Sequence, residues 1–312
     1  MELSAHRPAL LRHCYRMLGS FAEAEDITQD TLLRAWRARD AFRGQSSLER
    51  WLLSIATNAC LNALSQRRRR ELPQLERAAA DGLEGLGETE AERWLSPAPD
   101  AQLFPDASAA HEDLESVSLA FVALLQRVPP RQRAALLLKD VLGWSAEEIS
   151  EALELTVPSV NSALQRAREV VARAPVRGDL PSPETLARFV RAWAERDLEG
   201  LVRLLKHDVT LAMPPHQIWF RGVDALVRFV TSPRFSSFWQ AVHAVVPTRA
   251  NGQPALAFFR RAEGGIVRHS IMVARFEGDA VAEMTVFIGA ENFRGFEESA
   301  EGTAQFQRPP LS

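Results

Sequence analysis

Apolar residues recur at helical spacing through the first seventy positions, where Pro8 is the only proline. Over 22–38, Glu23, Glu25, Asp26 and Asp30 occupy the early turns and Arg34 and Arg37 the late ones, the order a helix dipole favours. Asp26, Gln29 and Asp30 stand at i, i+3 and i+4 and share one polar face, which spacing alone reads as a solvated face. From Leu48 to Ser65, Leu48, Leu52, Leu53, Ile55, Ala56, Ala59, Cys60, Ala63 and Leu64 fill one wide arc. Trp51, Ser54, Asn58, Asn62 and Ser65 fall on another. An indole among amides and hydroxyls suits stacking on unpaired bases, and equally suits packing under the preceding loop. That loop, Phe42-Arg43-Gly44-Gln45-Ser46-Ser47, carries an aromatic, a cation, a glycine and small polar groups. Arg67 to Arg70 close the helix, either as favourable charge at its C-terminus or as phosphate contacts.

Helical spacing returns at 116–175. Ser145 and Glu148 form a capping box, with Ile149 and Leu153 facing inward. After the turn Glu154-Leu155-Thr156, Thr156 caps a helix that accepts Pro158 in its first turn and buries Val157, Val160, Leu164, Ala167 and Val171. The opposite side displays Ser159, Asn161, Ser162, Gln165, Arg166 and Arg168. Two short helices with a tight turn read as a helix-turn-helix, with an ordinary helical hairpin as the alternative.

Beyond residue 183 the pattern changes. Glu184 to Leu205 reads as one amphipathic helix and Arg221 to Val230 as another. Strand-like runs follow at 241–247, 254–260, 266–276 and 280–288, separated by Asn251-Gly252, Gly264-Gly265 and Gly278-Asp279. Helices followed by an antiparallel sheet predict an α+β domain.

Charge separates these blocks. The 312 residues have a net charge of −3, but residues 1–70 carry +5, 71–115 carry −10, and 116–175 and 176–312 carry +1 each. The acidic stretch also holds Gly82, Gly85, Gly87, Pro97, Pro99 and Pro105, and reads as a flexible linker over 71–115. A second joint is expected around 174–183. The chain thus divides into folded pieces at 1–70, 116–175 and 184–300. Hydrophobic residues at 46% and charged residues at 25% exclude a wholly disordered or fibrous chain. No apolar run approaches a membrane span, and Met1-Glu2-Leu3-Ser4 lacks the features of a signal peptide. Cys14 and Cys60 have no metal spacing, and a reducing cytoplasm is the expected location.

On these residues the chain resembles the extracytoplasmic-function sigma factors of bacterial RNA polymerase. Ala24 to Trp36, Phe42-Arg43-Gly44 and Trp51 to Asn58 resemble their region 2. Val128-Pro129-Pro130-Arg131-Gln132-Arg133 and the helix-turn-helix through Arg168 resemble region 4, and no region 3 is recognisable. The resemblance implies core RNA polymerase and promoter DNA as partners. It assigns Asp26, Gln29 and Asp30 to the β′ clamp helices, and region 4 to the β flap. It assigns Phe42, Arg43, Gly44, Gln45, Ser46 and Ser47, with Trp51 and Asn58, to a flipped base of the −10 element. Pro158, Ser159, Asn161, Ser162, Gln165, Arg166 and Arg168 become the −35 reader, and the acidic linker becomes a segment threading the polymerase channel. Three positions depart from the pattern: Glu154 where the turn often has Gly, and Asn161 and Ala163 where relatives often have Lys and Arg.

The last piece, with Met213-Pro214-Pro215 and Trp219-Phe220-Arg221-Gly222 before its second helix, resembles the SnoaL-like branch of the NTF2-like cone, which a subset of these sigma factors carries. The expected whole is multidomain: all-α regions 2 and 4, then an α+β cone that regulates them in cis. The alternatives are a SnoaL-like enzyme with a DNA-targeting N-terminal part, and a helix-turn-helix repressor. Catalysis in the cone would need an acid–base group inside it. Glu283 and Thr285 share a face of the last run with Val281 and Phe287, while His216, His243 and His269 have no ligand spacing. No cofactor, metal or membrane is expected, and the cone leaves room for an unidentified small ligand.

Overall fold

The computed structural model describes residues 2–42, 44, 46–65, 69–75, 78–80, 94–105, 114–172 and 178–297. Its contacts form two units, one of residues 1–70 with 100–176 and one of 71–99 with 177–312.

The first unit is helical. Helices α1 (Arg7–Leu18), α2 (Phe21–Arg37) and α3 (Leu48–Leu64) pack on one another. Gly19, at φ 67°, ends α1 in the left-handed conformation that glycine adopts without steric cost. The Ser20 and Ser47 side chains cap α2 and α3 by accepting from the Glu23 and Arg50 amides. Leu10, Leu11, Tyr15, Leu18, Phe21, Leu52, Leu53 and Ala56 form the core. Cys14 and Cys60 are free thiols within it, and burial together with the Cys14 hydrogen bond raises the Cys60 thiol well above its ordinary value. Both are therefore inert core residues.

After the short α4 (Asp100–Leu103) the same unit continues with α5 (Leu119–Arg127), α6 (Pro130–Leu136), α7 (Ala146–Leu153) and α8 (Val157–Val171). The Ser145–Glu148 capping box forms as its spacing predicts, and α8 buries Val160, Ala163, Leu164 and Ala167. Buried polar contacts join these helices to α1. Arg133 donates to the Met17, Gln126 and Val128 carbonyls and to Gln126 Oε1. Gln126 donates to the Arg16 carbonyl at 3.2 Å, and Arg16 to the Ser116 carbonyl at 3.1 Å. Burial draws the Arg133 guanidinium down to about 9, which still leaves it cationic at neutral pH with its charge spread over four oxygens.

The second unit is a six-stranded sheet in the order β2-β1-β6-β5-β4-β3. The strands are β1 (Leu205–Ala212), β2 (Trp219–Arg221), β3 (Val242–Ala250), β4 (Gln253–Ala262), β5 (Gly265–Glu277) and β6 (Ala280–Ile288). Helices α9 (Pro183–Glu195), α10 (Leu198–Val202), α11 (Val223–Val230) and α12 (Pro233–Ala241) accompany it. Phe189, Trp193, Phe220, Phe229, Phe258, Met272, Phe276 and Met284 build the core between helices and sheet.

Here the fold departs from the sequence reading in three ways. The single helix expected over 184–205 breaks at Arg196, whose φ of 62° ends α9, and Asp197 caps α10. Leu205–Ala212, whose first half is polar, becomes a strand because it pairs in parallel with β6, so the sheet is mixed rather than antiparallel. An irregularity in the β5–β6 register, between Arg275↔Glu283 and Phe276↔Val281, breaks the alternation. Val281 joins the core with Met284, whereas Glu283 bonds to Arg275.

The acidic segment read as a flexible linker is held at several points. Leu72, Trp94, Leu95 and Ala98 are buried. The Trp94 indole donates to the Pro215 carbonyl at 2.9 Å, Gln74 to Glu283 Oε1 at 2.8 Å, and the Ala80 amide to the Trp219 carbonyl at 2.9 Å. Ala98 and Asn251 exchange two hydrogen bonds at 3.0 Å, made from the Asn251-Gly252 hairpin turn, where both residues have positive φ. A few apolar anchors spaced among the charges suffice to hold such a segment, and net charge does not report them.

Candidate polymerase and promoter surfaces

Asp26 and Gln29 are exposed on α2, and Asp30 is partly so. Thr28 and Thr31, on the opposite side, are fully buried, and Thr28 donates to the Ala24 carbonyl at 2.7 Å. Asp30 pairs with Arg34 at 2.7 Å, two side chains each about half exposed. The same helix exposes Leu33 (45%) and Trp36 (57%), with the Arg39 guanidinium 4.9 Å from the Trp36 ring. Sequence reasoning passed over these two because an apolar residue in an amphipathic helix is read as core by default. Their position about two and three turns beyond Asp26, on the same face, is the signal that would have found them.

In the −10 group, Phe42 packs against Trp51 with ring centroids 5.1 Å apart and the rings tilted by 36°. Packing under the preceding loop therefore accounts for Trp51, and it also presents two aromatic rings side by side. Ser47 is the α3 cap, Ser46 and Gly44 are exposed, and Gly44 has φ 69° with open space around it. Asn58 is exposed two turns along, and Ser54 returns its hydroxyl to the Arg50 carbonyl at 3.1 Å. Arg43 and Gln45 lie outside the described residues, as do Arg67 and Arg68. Arg70 is turned inward, bonding to the Leu18 carbonyl and to Glu23 at 2.8 Å.

On α8, Pro158, Ser159, Asn161, Ser162, Gln165, Arg166 and Arg168 are all exposed. Arg168 is engaged by Asp140 through two hydrogen bonds of 2.9 and 2.6 Å. Ser159 bonds to the capping Thr156 at 2.8 Å. Ala163 is buried, so the departure from Arg at that position removes nothing from the exposed face. Glu154 holds the turn at φ 53°, a left-handed conformation that costs an ordinary residue about 1–2 kcal/mol. Across the unit, Arg50 of α3 forms an ion pair with Glu148 of α7 and lies 5.9 Å from the Trp144 ring.

The cone encloses a cavity of about 240 Å³ whose wall includes Trp193, Phe229, Phe238, Met272, His216 and His269. Among the described residues no aspartate or glutamate lines it, and Glu283, the carboxylate singled out from the sequence, is bonded to Arg275 and Gln74 instead. Burial and nearby arginine charge lower both cavity imidazoles, His269 to about 4, so both are neutral at pH 7. Among the described residues no group of three His, Cys, Asp or Glu has the geometry of a metal site, and no helix is long and apolar enough to cross a membrane.

The class is defined by three family matches: sigma-70 region 2 over residues 3–70, sigma-70 region 4 over 118–170, and a SnoaL-like domain over 186–284. The chain is 40% identical over 311 residues to the ECF RNA polymerase sigma factor SigG of Mycobacterium tuberculosis, covering 95% of this chain and 83% of that protein. It is 30% identical over 241 residues to SigJ of the same organism, covering 73% and 71%. The crystal structure of M. tuberculosis SigJ shares the fold with a TM-score of 0.60, at 22% identity over 96% of this chain and 99% of that one. The chain belongs to the extracytoplasmic-function RNA polymerase sigma factors.

Proposed function

We propose that the chain binds core RNA polymerase and directs it to promoters, and that its C-terminal cone controls this in cis. The observation that carries the reading is the pair of sigma regions, 3–70 and 118–170, in one chain. Asp26, Gln29 and Asp30, extended by Leu33 and Trp36, dock on the β′ clamp helices, and region 4 meets the β flap. Phe42, Gly44, Ser46, Ser47, Trp51 and Asn58, with Arg43 and Gln45, take the flipped −10 base. Pro158, Ser159, Asn161, Ser162, Gln165, Arg166 and Arg168 face the −35 element.

The helical unit is a closed form of this machine. Elements named −10 and −35 lie about 25 base pairs apart, roughly 85 Å at 3.4 Å per step. A folded unit of its size has a radius of gyration of about 15 Å. Regions 2 and 4 must therefore separate before both elements are read at once, and the contacts around Arg133 and the Arg50–Glu148 pair must break. Run-off transcription with purified core enzyme, from a promoter mapped upstream of the chain's own gene, tests the reading. Core-dependent initiation is expected. Operator binding without any need for core overturns it in favour of a repressor.

A further inference from the structure

We propose that Arg50 is a further promoter contact, a clamp for a backbone phosphate of the −10 strand, and that in the closed form the Glu148 carboxylate occupies it in the phosphate's place. The inference rests on the promoter-binding reading above and deepens it. It adds a residue that the sigma-factor resemblance does not assign, and it names what the strand must displace.

The backbone places Arg50 beside the −10 group. It stands in the first turn of α3, where its amide donates to the capping Ser47 hydroxyl at 3.2 Å and its carbonyl accepts from the Ser54 hydroxyl at 3.1 Å. Ser54 and Asn58 follow at i+4 and i+8, so the three positions lie within about 80° of one another on one side of the helix. Arg50 therefore borders the arc that carries Asn58 and Trp51. A flipped base brings its own backbone phosphate to the surface that receives it, and a cation at the edge of that surface is the group that holds such a phosphate. The positive end of the α3 dipole lies at the same turn and adds to the attraction.

The group that holds Arg50 in the closed form is already an oxyanion. Its guanidinium pairs with Glu148 Oε1 and lies 5.9 Å from the ring of the buried Trp144. The other oxygen of Glu148 accepts from the Ser145 amide at 2.8 Å, and the Glu148 amide donates to the Ser145 hydroxyl at 3.1 Å, so the capping box holds the carboxylate still. The two paired side chains are 41% and 33% exposed, which makes the pair weak enough to give way. A guanidinium grips carboxylate and phosphate with the same planar fork of donors. Glu148 belongs to region 4, and the promoter spacing requires the regions to part. Arg50 thus loses its carboxylate as the −10 strand arrives. Strand and Glu148 compete for one cation, so promoter binding and closure oppose each other through it.

Three variants of the full chain separate the two roles: Glu148→Gln, Arg50→Gln and Arg50→Lys, with melting temperature as the check on folding. Glutamine at 148 preserves the capping box and removes only the charge. The probe is a fluorescent single strand carrying the −10 sequence mapped upstream of the chain's own gene, bound over a salt series to the free chain and to its complex with core polymerase. In the free chain, Glu148→Gln is expected to bind the strand about twofold to fivefold tighter than the parent, the worth of a partly exposed ion pair. Arg50→Gln breaks the same pair, yet should bind about fivefold more weakly than Glu148→Gln near 0.1 M salt. The slope of its log affinity against log salt should be shallower by about 0.7, one phosphate contact on a single strand. Arg50→Lys should keep the parent slope. With core present the regions are apart, so Glu148→Gln should match the parent while Arg50→Gln still shows the shallower slope. Equal gains from Glu148→Gln and Arg50→Gln, or an unchanged slope for Arg50→Gln in either form, overturn the phosphate role. No gain from Glu148→Gln in the free chain overturns the competition. Run-off transcription by the parent chain is the separate control. A parent that initiates while the variants give these contrary results refutes the clamp alone, and a parent that does not initiate overturns the promoter reading and the clamp with it.

Discussion

Single side chains on this molecule carry opposite consequences depending on burial. Asp26 and Asp30 sit on an outward face, and the Asp30–Arg34 ion pair is a surface pair worth at most about 1 kcal/mol. Asp26→Arg with Asp30→Arg should leave the melting temperature nearly unchanged. Like charges brought face to face at a partner surface cost several kcal/mol, so the same variant should lose co-purification with core polymerase. Glu154 presents the reverse case, a residue doing a glycine's work at φ 53°. Glu154→Gly should stabilise the helix-turn-helix by about 1 kcal/mol, read as an increase in the denaturant midpoint. His13 is fully buried, within 2.8 Å of Thr57 Oγ1, and burial with the nearby Arg16 charge lowers it to about 3. The unfolded chain protonates it near its ordinary 6.5, so its contribution to stability is complete above that pH and falls by about 1.4 kcal/mol per unit between 6.5 and 3. Denaturation at pH 7.5 and 5.5 should show a shallower loss for His13→Gln than for the parent chain.

Elements decide which of two readings of a residue holds. Trp51 is both packed under its loop and on the face that meets DNA in the proposed function, because α3 begins at Ser47 and brings the indole against Phe42. Removing either ring or the distant amide should act on strand opening rather than on duplex capture. Phe42→Ala and Asn58→Ala are expected to reduce permanganate reactivity of the melted −10 region well beyond any loss of duplex binding. An equal loss in both assays would remove the flipped-base role. In the cone, the irregularity between β5 and β6 separates Val281 from Glu283, residues that strict alternation would put on one face. The acid–base group that an enzyme would need is thereby tied to Arg275 and Gln74.

At the scale of the whole chain, two sets of contacts tie its pieces together, one within each unit. Region 2 is joined to region 4 through Arg133, Gln126 and Arg16, and the described parts of 71–99 are joined to the cone. A tethered contact acts at millimolar effective concentration, so weak bonds are enough to populate it. Truncation after Arg173 removes the anchors at Pro215, Trp219, Asn251 and Glu283 together. Run-off transcription by the truncated chain should differ clearly from full length, and the direction of the change gives the sign of control. Equal activity under every condition tried would remove the cis-regulatory role.

The order of the pieces and the position of helices α2, α3, α7 and α8 were legible in the sequence, because each rests on local signals. The Ser145–Glu148 box, the Thr156 cap and the Asn251-Gly252 turn act within four residues, and each forms where the pattern places it. The exposed faces of α2 and α8 were legible for the same reason, since helical periodicity fixes which side of a helix is polar. Only the tertiary structure decided the rest. Leu205–Ala212 is a strand because β6 lies beside it, Trp94 is an anchor because the Pro215 carbonyl is within reach, and Glu283 leaves the cone because the β5–β6 register slips. Each of these depends on partners far away in the chain, whose approach is governed by packing of the whole unit and leaves no periodic trace in the residues themselves.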